Sequence, residues 1–259
     1  MSAPIRVTVL GSGTSHGVPM IGCTCATCTS TDPRDTRTRP SIYLDVSGGP
    51  KILVDTSTDL RQQALRHRLP RVDAILYTHS HADHVFGLDD VRRFNVMQRG
   101  PIACYGDART IADLRRTFWY VFDGLDRVGG GIPLLELREI GAPVDIRGVT
   151  IQPVPVFHGP RPILGYRVGR FAYLTDCNRI PDESRPLLEG LDVLILDALR
   201  ERPHPTHFTV DEALAEASRI GARRTLLTHI AHDLGHADTS ARLPAGVELA
   251  YDGVTFEVN

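Results

Sequence analysis

The stretch Thr78-His79-Ser80-His81-Ala82-Asp83-His84 places four groups able to bind a metal within six positions. Imidazole and carboxylate together suit zinc, manganese and iron alike. The spacing sorts these groups into pairs. On an extended backbone His79 and His81 project to one side, whereas Asp83 and His84 lie beyond a turn, so two adjacent metal sites are expected. Residues 72–77, Val-Asp-Ala-Ile-Leu-Tyr, read as a buried strand, and the histidines begin where its packing ends. A histidine-rich surface loop without metal would not explain why these groups gather directly after a core strand.

The same arrangement recurs downstream. Residues 149–157 read as a strand delivering His158, and a hairpin around Gly169-Arg170 delivers Thr175-Asp176. Residues 224–228 read as a strand ending in His229. With His79, a strand then runs into a metal-binding residue four times, so His158, Asp176 and His229 are expected to join the motif at one edge. A separate set lies near the start. Cys23, Cys25 and Cys28 offer three thiolates, which with one imidazole complete a closed tetrahedral zinc site. Residues 29–39 contain no histidine, so the fourth ligand must come from a distant segment. Five cysteines, an odd number clustered in this way, suit a reducing compartment better than a disulfide framework.

These residues need elements to position them. Residues 5–10 alternate like a strand and run into Gly11-Ser12-Gly13-Thr14-Ser15-His16-Gly17. A dinucleotide-binding turn would need its third glycine one position earlier and a helix directly after it, so a tight turn near the site is the better reading, with His16 solvated. Residues 41–46 and 51–55 form a hairpin, Asp55 is placed to orient a metal-binding histidine from behind, and Thr58 or Asp59 caps the helix that follows. Helices at 87–95 and 108–119 flank a short strand at 102–105. Phe118, Trp119, Tyr120 and Phe122, ahead of Gly129-Gly130-Gly131, suit either a lid over the site or plain core. Residues 192–197 read as a buried strand, 210–220 as a helix capped by Thr209, and 247–250 with 254–258 as a hairpin across Asp252-Gly253.

With 259 residues, 42% of them hydrophobic, the chain can bury the core of one large α/β domain spanning residues 1–259. A formal net charge of −2 argues against non-specific binding to nucleic acid or anionic membrane. The first apolar run is too short for a signal-peptide core and no run spans a bilayer, so a cytoplasmic protein is expected. A small phosphorylated substrate fits this charge, and the sequence leaves room for a homodimer.

Taken together, the Thr-His-x-His-x-Asp-His motif, a later histidine, a later aspartate and a C-terminal histidine resemble the metallo-β-lactamase superfamily along the whole chain. The resemblance implies an α/β fold of four layers, an αββα sandwich. Two divalent ions, Zn or Mn, would sit at one rim, His79, His81 and His158 on the first, Asp83, His84 and His229 on the second, and Asp176 bridging. Within the superfamily, the Gly-Ser-Gly-Thr-Ser-x-Gly-x-Pro loop leading into the cysteines resembles the phosphoribosyl 1,2-cyclic phosphate phosphodiesterase branch of bacterial phosphonate breakdown. That likeness implies His232, three residues after His229, as the fourth ligand of a structural zinc with Cys23, Cys25 and Cys28. It also implies Asp83 and His207 as catalytic residues, His207 handling the substrate phosphate or leaving group, and His204 as merely solvated. The expected activity is hydrolysis of small cyclic or linear phosphodiesters by a water activated between two ions. Arg161, Arg200 and Arg202 stand near the motifs as candidates for a second phosphate. A thioesterase or lactonase, a protein of quinone-cofactor biosynthesis and a tRNA 3′-processing endonuclease are the alternatives. An oxygen-reducing di-iron protein would need a carboxylate for one motif histidine and a flavin domain, which this chain lacks.

Overall fold

A computed structural model describes residues 3–124 and 131–259. Its strands are β1 (Ile5–Gly11), β2 (Ser41–Val46), β3 (Lys51–Val54), β4 (Ala74–Leu76), β5 (Ile102–Gly106), β6 (Leu135–Glu139), β7 (Val144–Ile146), β8 (Val149–His158), β9 (Arg161–Val168), β10 (Phe171–Leu174), β11 (Val193–Asp197), β12 (Arg224–Thr228), β13 (Val247–Leu249) and β14 (Thr255–Val258). The helices are α1 (Leu60–His67), α2 (Ala82–Val85), α3 (Arg92–Gln98), α4 (Ala108–Thr117), α5 (Trp119–Phe122), α6 (Val210–Ile220) and α7 (His236–Ser240). The strands form two seven-stranded sheets, ordered β14-β1-β2-β3-β4-β5-β6 and β13-β12-β11-β10-β9-β8-β7.

Alternation within the strands builds the layers. Ile52 and Val54 of β3, and Val193 and Ile195 of β11, meet in the core between the sheets. Their neighbours face outward. Leu53 joins Leu60, Phe94, Ile111 and Leu114 beneath α1, α3 and α4, while Leu194 and Leu196 join Ala213 and Ala217 beneath α6. Strands covered on both faces are apolar throughout, which is why their sequences read as continuous runs. The result is the αββα sandwich. A capping box between Thr209 and Glu212 starts α6, and Gly221 ends it at φ 69°. Among the described residues no helix is long and apolar enough to cross a membrane.

Strand direction gathers the candidate ligands. β8 and β10 both run antiparallel to β9 and hence parallel to one another, and β10, β11 and β12 are mutually parallel. β3 and β4 are parallel in the other sheet. The two sheets are tied where β4 ends. The Leu164 backbone N–H donates to the Thr78 carbonyl at 3.1 Å, and the Tyr166 hydroxyl to the Tyr77 carbonyl at 2.7 Å.

Several local expectations change. The tail is no hairpin: β13 pairs with β12 in one sheet and β14 with β1 in the other. The chain does turn at Asp252-Gly253, but the Asp252 carboxylate accepts four hydrogen bonds from the first sheet, two from Ser12 (2.9 and 2.8 Å) and two from Thr38 (2.8 and 2.7 Å). The glycine-rich loop serves the same junction. A Cβ on Gly11 would overlap the Arg39 carbonyl, and the close approach lets Ser12 and Thr14 pair with the backbone of Ile230. Asp59 does not cap α1 with its side chain, because Arg39 holds its carboxylate. The expected helix at 87–95 is a tight turn at Leu88–Val91 followed by α3. Phe118 and Val121 pack in the core while Trp119 is exposed; Gly129 and Gly130 lie outside the described residues.

Asp252→Ala would remove the acceptor of two backbone N–H groups and of the Ser12 hydroxyl, leaving the Thr38 hydroxyl only the Leu10 carbonyl at 3.3 Å. It is expected to destabilise the protein by about 3 kcal/mol or more, read as a lower urea midpoint. An unchanged midpoint would show that other contacts hold the crossing between the sheets.

Candidate metal centre

His79 emerges just beyond β4, and its neighbour Thr78 is fixed from both sides. The Thr78 backbone N–H and hydroxyl donate to the two oxygens of Asp55, at 2.8 and 2.9 Å, directly after β3. The same carboxylate lies 2.8 Å from His84 Nδ1. His158 Nδ1 lies 3.1 Å from the Thr206 carbonyl. An acceptor on Nδ1 keeps the proton there and aims Nε2 inward as a ligand. Asp55 thus takes the supporting position that its place at a strand end suggests.

Around this frame the side chains fall into two sets. The ligand atoms of His79, His81 and His158 lie within 4.8 Å of one another, as do those of Asp83, His84, Asp176 and His229. Asp176 faces both. Its Oδ1 is 3.2 Å from Nε2 of His84 and 3.2 Å from Nε2 of His229, while Oδ2 is 3.8 Å from Nε2 of His79. Asp83 Oδ2 lies 3.5 Å from His84 and 3.6 Å from His229. The Nε2 atoms of His79, His84 and His229 are buried without a hydrogen-bond partner. Buried polar atoms are normally satisfied, so imidazole nitrogens converging unpartnered on carboxylates fit divalent cations.

The electrostatics agree with that fit. Burial pushes the Asp176 carboxyl up, but His229 and His84 outweigh it and hold the group well below the usual range; Asp83 is likewise low. Burial pushes His84 down, yet Asp176, Asp83 and Asp55 hold it well above its ordinary value, and His229 rises to about 10 against the same burial because of Asp176 and Asp83. His79 is held well below its ordinary value by burial and by His84. The carboxylates therefore draw positive charge into the cluster. The backbone is strained here too. Asp55, Asp176 and His229 adopt φ of 61°, 56° and 62°, and such residues persist only where their surroundings over-determine them.

Asp197, at the end of β11, is a residue whose role the sequence reading missed. Its Oδ1 accepts the Asp176 backbone N–H at 3.0 Å and lies 3.1 Å from His207 Nδ1, and its Oδ2 accepts the Phe208 N–H at 3.0 Å. His207 stacks on His229 with ring centroids 4.6 Å apart and meets His158 edge-on at 4.8 Å. The available signal was a charge closing an apolar strand at the same edge as the ligands.

The cysteines form a separate cluster. His232 Nδ1 lies 3.2 Å from Cys23 Sγ and 3.3 Å from Cys25 Sγ, and all four ligand atoms, with Cys28, lie within 4.8 Å of one another. Donor separations in a tetrahedral zinc site are about 3.3–3.8 Å, given Zn–S near 2.3 Å. The Cys28 backbone N–H and His232 hold the Cys25 thiol down to about 6, whereas burial pushes Cys28 up to about 11. Beneath the cluster the buried Arg37 guanidinium joins the two distant segments. It donates to Asp35 at 2.8 Å, to the Leu234 carbonyl at 2.7 Å and to the Ala231 carbonyl at 3.1 Å.

Residues 51–230 match the family model described as a beta-lactamase superfamily domain. The chain belongs to this superfamily. Its metallo-β-lactamase fold implies divalent metal binding. A crystal structure described as a new diphosphatase from the PhnP family is similar to it with a TM-score of 0.93 and 45% identity, covering 100% of this chain and 98% of the other. A Porphyromonas gingivalis protein named octanoyltransferase is 38% identical over 254 residues, 96% of this chain but 51% of the relative, so the chain spans about half that protein's length. Coenzyme PQQ synthesis protein B of Methylobacterium radiotolerans is 30% identical over 237 residues, covering 74% of this chain and 72% of the relative.

Not every named residue reaches the superfamily's metal rim. His16 is exposed and belongs to neither cluster. His204 is half-buried, its ring 5.0 Å from that of His207, with Thr206 donating to it, so it is held rather than merely solvated. Arg202 is paired with Asp233 at 2.9 Å, and Arg200 bonds the carbonyls of Arg202 and Pro203. Cys177 is fully buried, as a small core residue would be.

Cys25→Ser or His232→Ala is expected to lower the melting temperature and to lose one zinc per chain. A His79→Ala/His81→Ala double variant should keep that zinc. Elemental analysis beside thermal melts checks both, and full zinc retention in Cys25→Ser would reject the cysteine site.

Proposed function

We propose that this superfamily hydrolase cleaves P–O bonds in small phosphodiesters or diphosphate esters. His79, His81 and His158 would hold one ion, Asp83, His84 and His229 a second, with Asp176 between, and Cys23, Cys25, Cys28 and His232 a structural zinc. The observation that carries the reading is His207, set against both ligand sets with its Nδ1 beside the buried Asp197 carboxylate. The resemblance to a PhnP-family diphosphatase supports phosphorus over carbon as the centre attacked. Two divalent ions held by these residues, Zn or Mn, would lower the pKa of a bound water from 15.7 toward about 7 and would offer positive charge to the phosphoryl oxygens.

The chain's own residues supply geometry and protons. Asp176 and Asp83 hold charge at a spot that His84 and His229 share, while Asp55 keeps His84 from rotating. Asp197 fixes one proton on His207 Nδ1, so Nε2 is the atom free to deliver a proton to a departing oxygen. Imidazole suits that task because its unperturbed pKa, about 6.5, lies near neutral pH. An alkoxide leaves poorly without that proton and a nitrophenolate leaves well with none.

Metal-reconstituted protein assayed on cyclic phosphates, linear phosphodiesters, phosphomonoesters, thioesters and lactones tests the class. Faster thioester or lactone turnover would reject attack at phosphorus. His207→Ala should slow an alkyl or cyclic phosphodiester by about 10²- to 10⁴-fold and a nitrophenyl diester far less, whereas Asp176→Ala should damage both. Equal losses on the two esters in His207→Ala would make His207 a phosphate-positioning residue instead.

A further inference from the structure

The three arginines near the motifs are sorted by what they touch. Arg202 is neutralised by Asp233, and Arg200 is engaged by carbonyls of its own loop. Arg179, close to Asp176 in sequence, lies 3.6 Å over the Phe157 ring. Arg161 differs from all of them. It begins β9 and pairs directly with His158 across the tight turn at Gly159-Pro160. Residues directly opposite in an antiparallel pair project from the same face of the sheet. Arg161 therefore leaves the sheet on the side from which His158 reaches the metal rim. The His158 ring in turn lies 5.1 Å from that of His81, so both stand on this side of the rim.

The mount is rigid. Asn178 accepts the Gly159 N–H at 2.9 Å and donates to the Pro205 carbonyl at 2.9 Å, and Thr206 leaves no room for a Cβ on Gly159. Among the described residues the half-buried Arg161 side chain makes no hydrogen bond or ion pair. A half-buried guanidinium on the His158 side of a cation-binding rim, without an ion pair among the described residues, is open to an anion brought from outside. Its planar fork of donors fits phosphoryl oxygens.

We infer that Arg161 is a specificity residue that binds the second phosphoryl group of a diphosphate ester whose other phosphorus sits at the metal rim. The inference rests on the proposed attack at phosphorus and names the substrate class for it. A diphosphate places its second group one bridging oxygen from the first, on the His81/His158 side where Arg161 rises. A simple diester has nothing to offer there.

The test is kinetic, with wild type, Arg161→Ala and Arg161→Lys at matched metal content, on a dinucleoside diphosphate and on bis(p-nitrophenyl) phosphate. The ratio of kcat/KM for the diphosphate to that for the nitrophenyl diester should fall about 10- to 100-fold in Arg161→Ala, the usual value of a charge-assisted contact. The loss should fall mainly on KM, and Arg161→Lys should restore part of it. A structural role would lower both substrates together and leave the ratio alone, which would overturn the proposal. Wild-type turnover of the nitrophenyl diester without the diphosphate would overturn it while the phosphodiesterase reading stands. Turnover of neither would reject that reading and this inference with it.

Discussion

Asp176 is a buried carboxylate that two separate sets of imidazoles approach at once, and the rest of the structure is arranged to make that burial tolerable. Desolvating carboxylates costs several kcal/mol unless positive charge comes with them. Here the balancing charge is drawn onto His84 and His229, or is supplied by divalent ions of the kind the superfamily's fold implies. The left-handed backbone at Asp55, Asp176 and His229 belongs to the same account, since each lies within two residues of the end of a strand and is turned toward the rim there.

The two sheets support this centre in matching ways. In the first, the fully buried Asp55 follows β3 and holds Thr78 and His84. In the second, the fully buried Asp197 ends β11 and holds the Asp176 backbone and His207. Asp55 follows the strand adjacent to β4, beyond which Thr78 emerges, and Asp197 ends the strand adjacent to β10, beyond which Asp176 emerges. A carboxylate so placed sets an imidazole's tautomer and direction without touching a metal, and such partners affect metal affinity strongly.

Around the rim, distant segments are stitched by buried charges. Asp252 joins the end of β1 to the crossing between β13 and β14, and Arg37 with Asp35 joins the stretch after the cysteines to residues 231–236. His229 immediately precedes the second of these junctions in sequence, with Ile230 paired to Ser12 and His232 beside Cys23. The cysteine cluster is thus mechanically continuous with the candidate catalytic rim, and loosening it should be felt there.

The sequence by itself determined the superfamily, the layered α/β class and which residues gather. A metal ligand is legible from its type and from the strand that precedes it, because the local backbone carries both. His79, His81, Asp83, His84, His158, Asp176 and His229 come together in the structure, and so do the three cysteines with His232. Partnership between charges was not legible in this way. Asp252-Gly253 had the composition of a hairpin turn, yet four donors about 240 and 214 positions away along the chain decided where its strands went. Arg161, Arg200 and Arg202 were equivalent in sequence, and only the fold decided that two are engaged and one faces the rim. Residue type sets what a side chain is able to bind. Which partner comes within about 3 Å of it, the range in which hydrogen bonds form, depends on the packing of segments that are not neighbours in the chain.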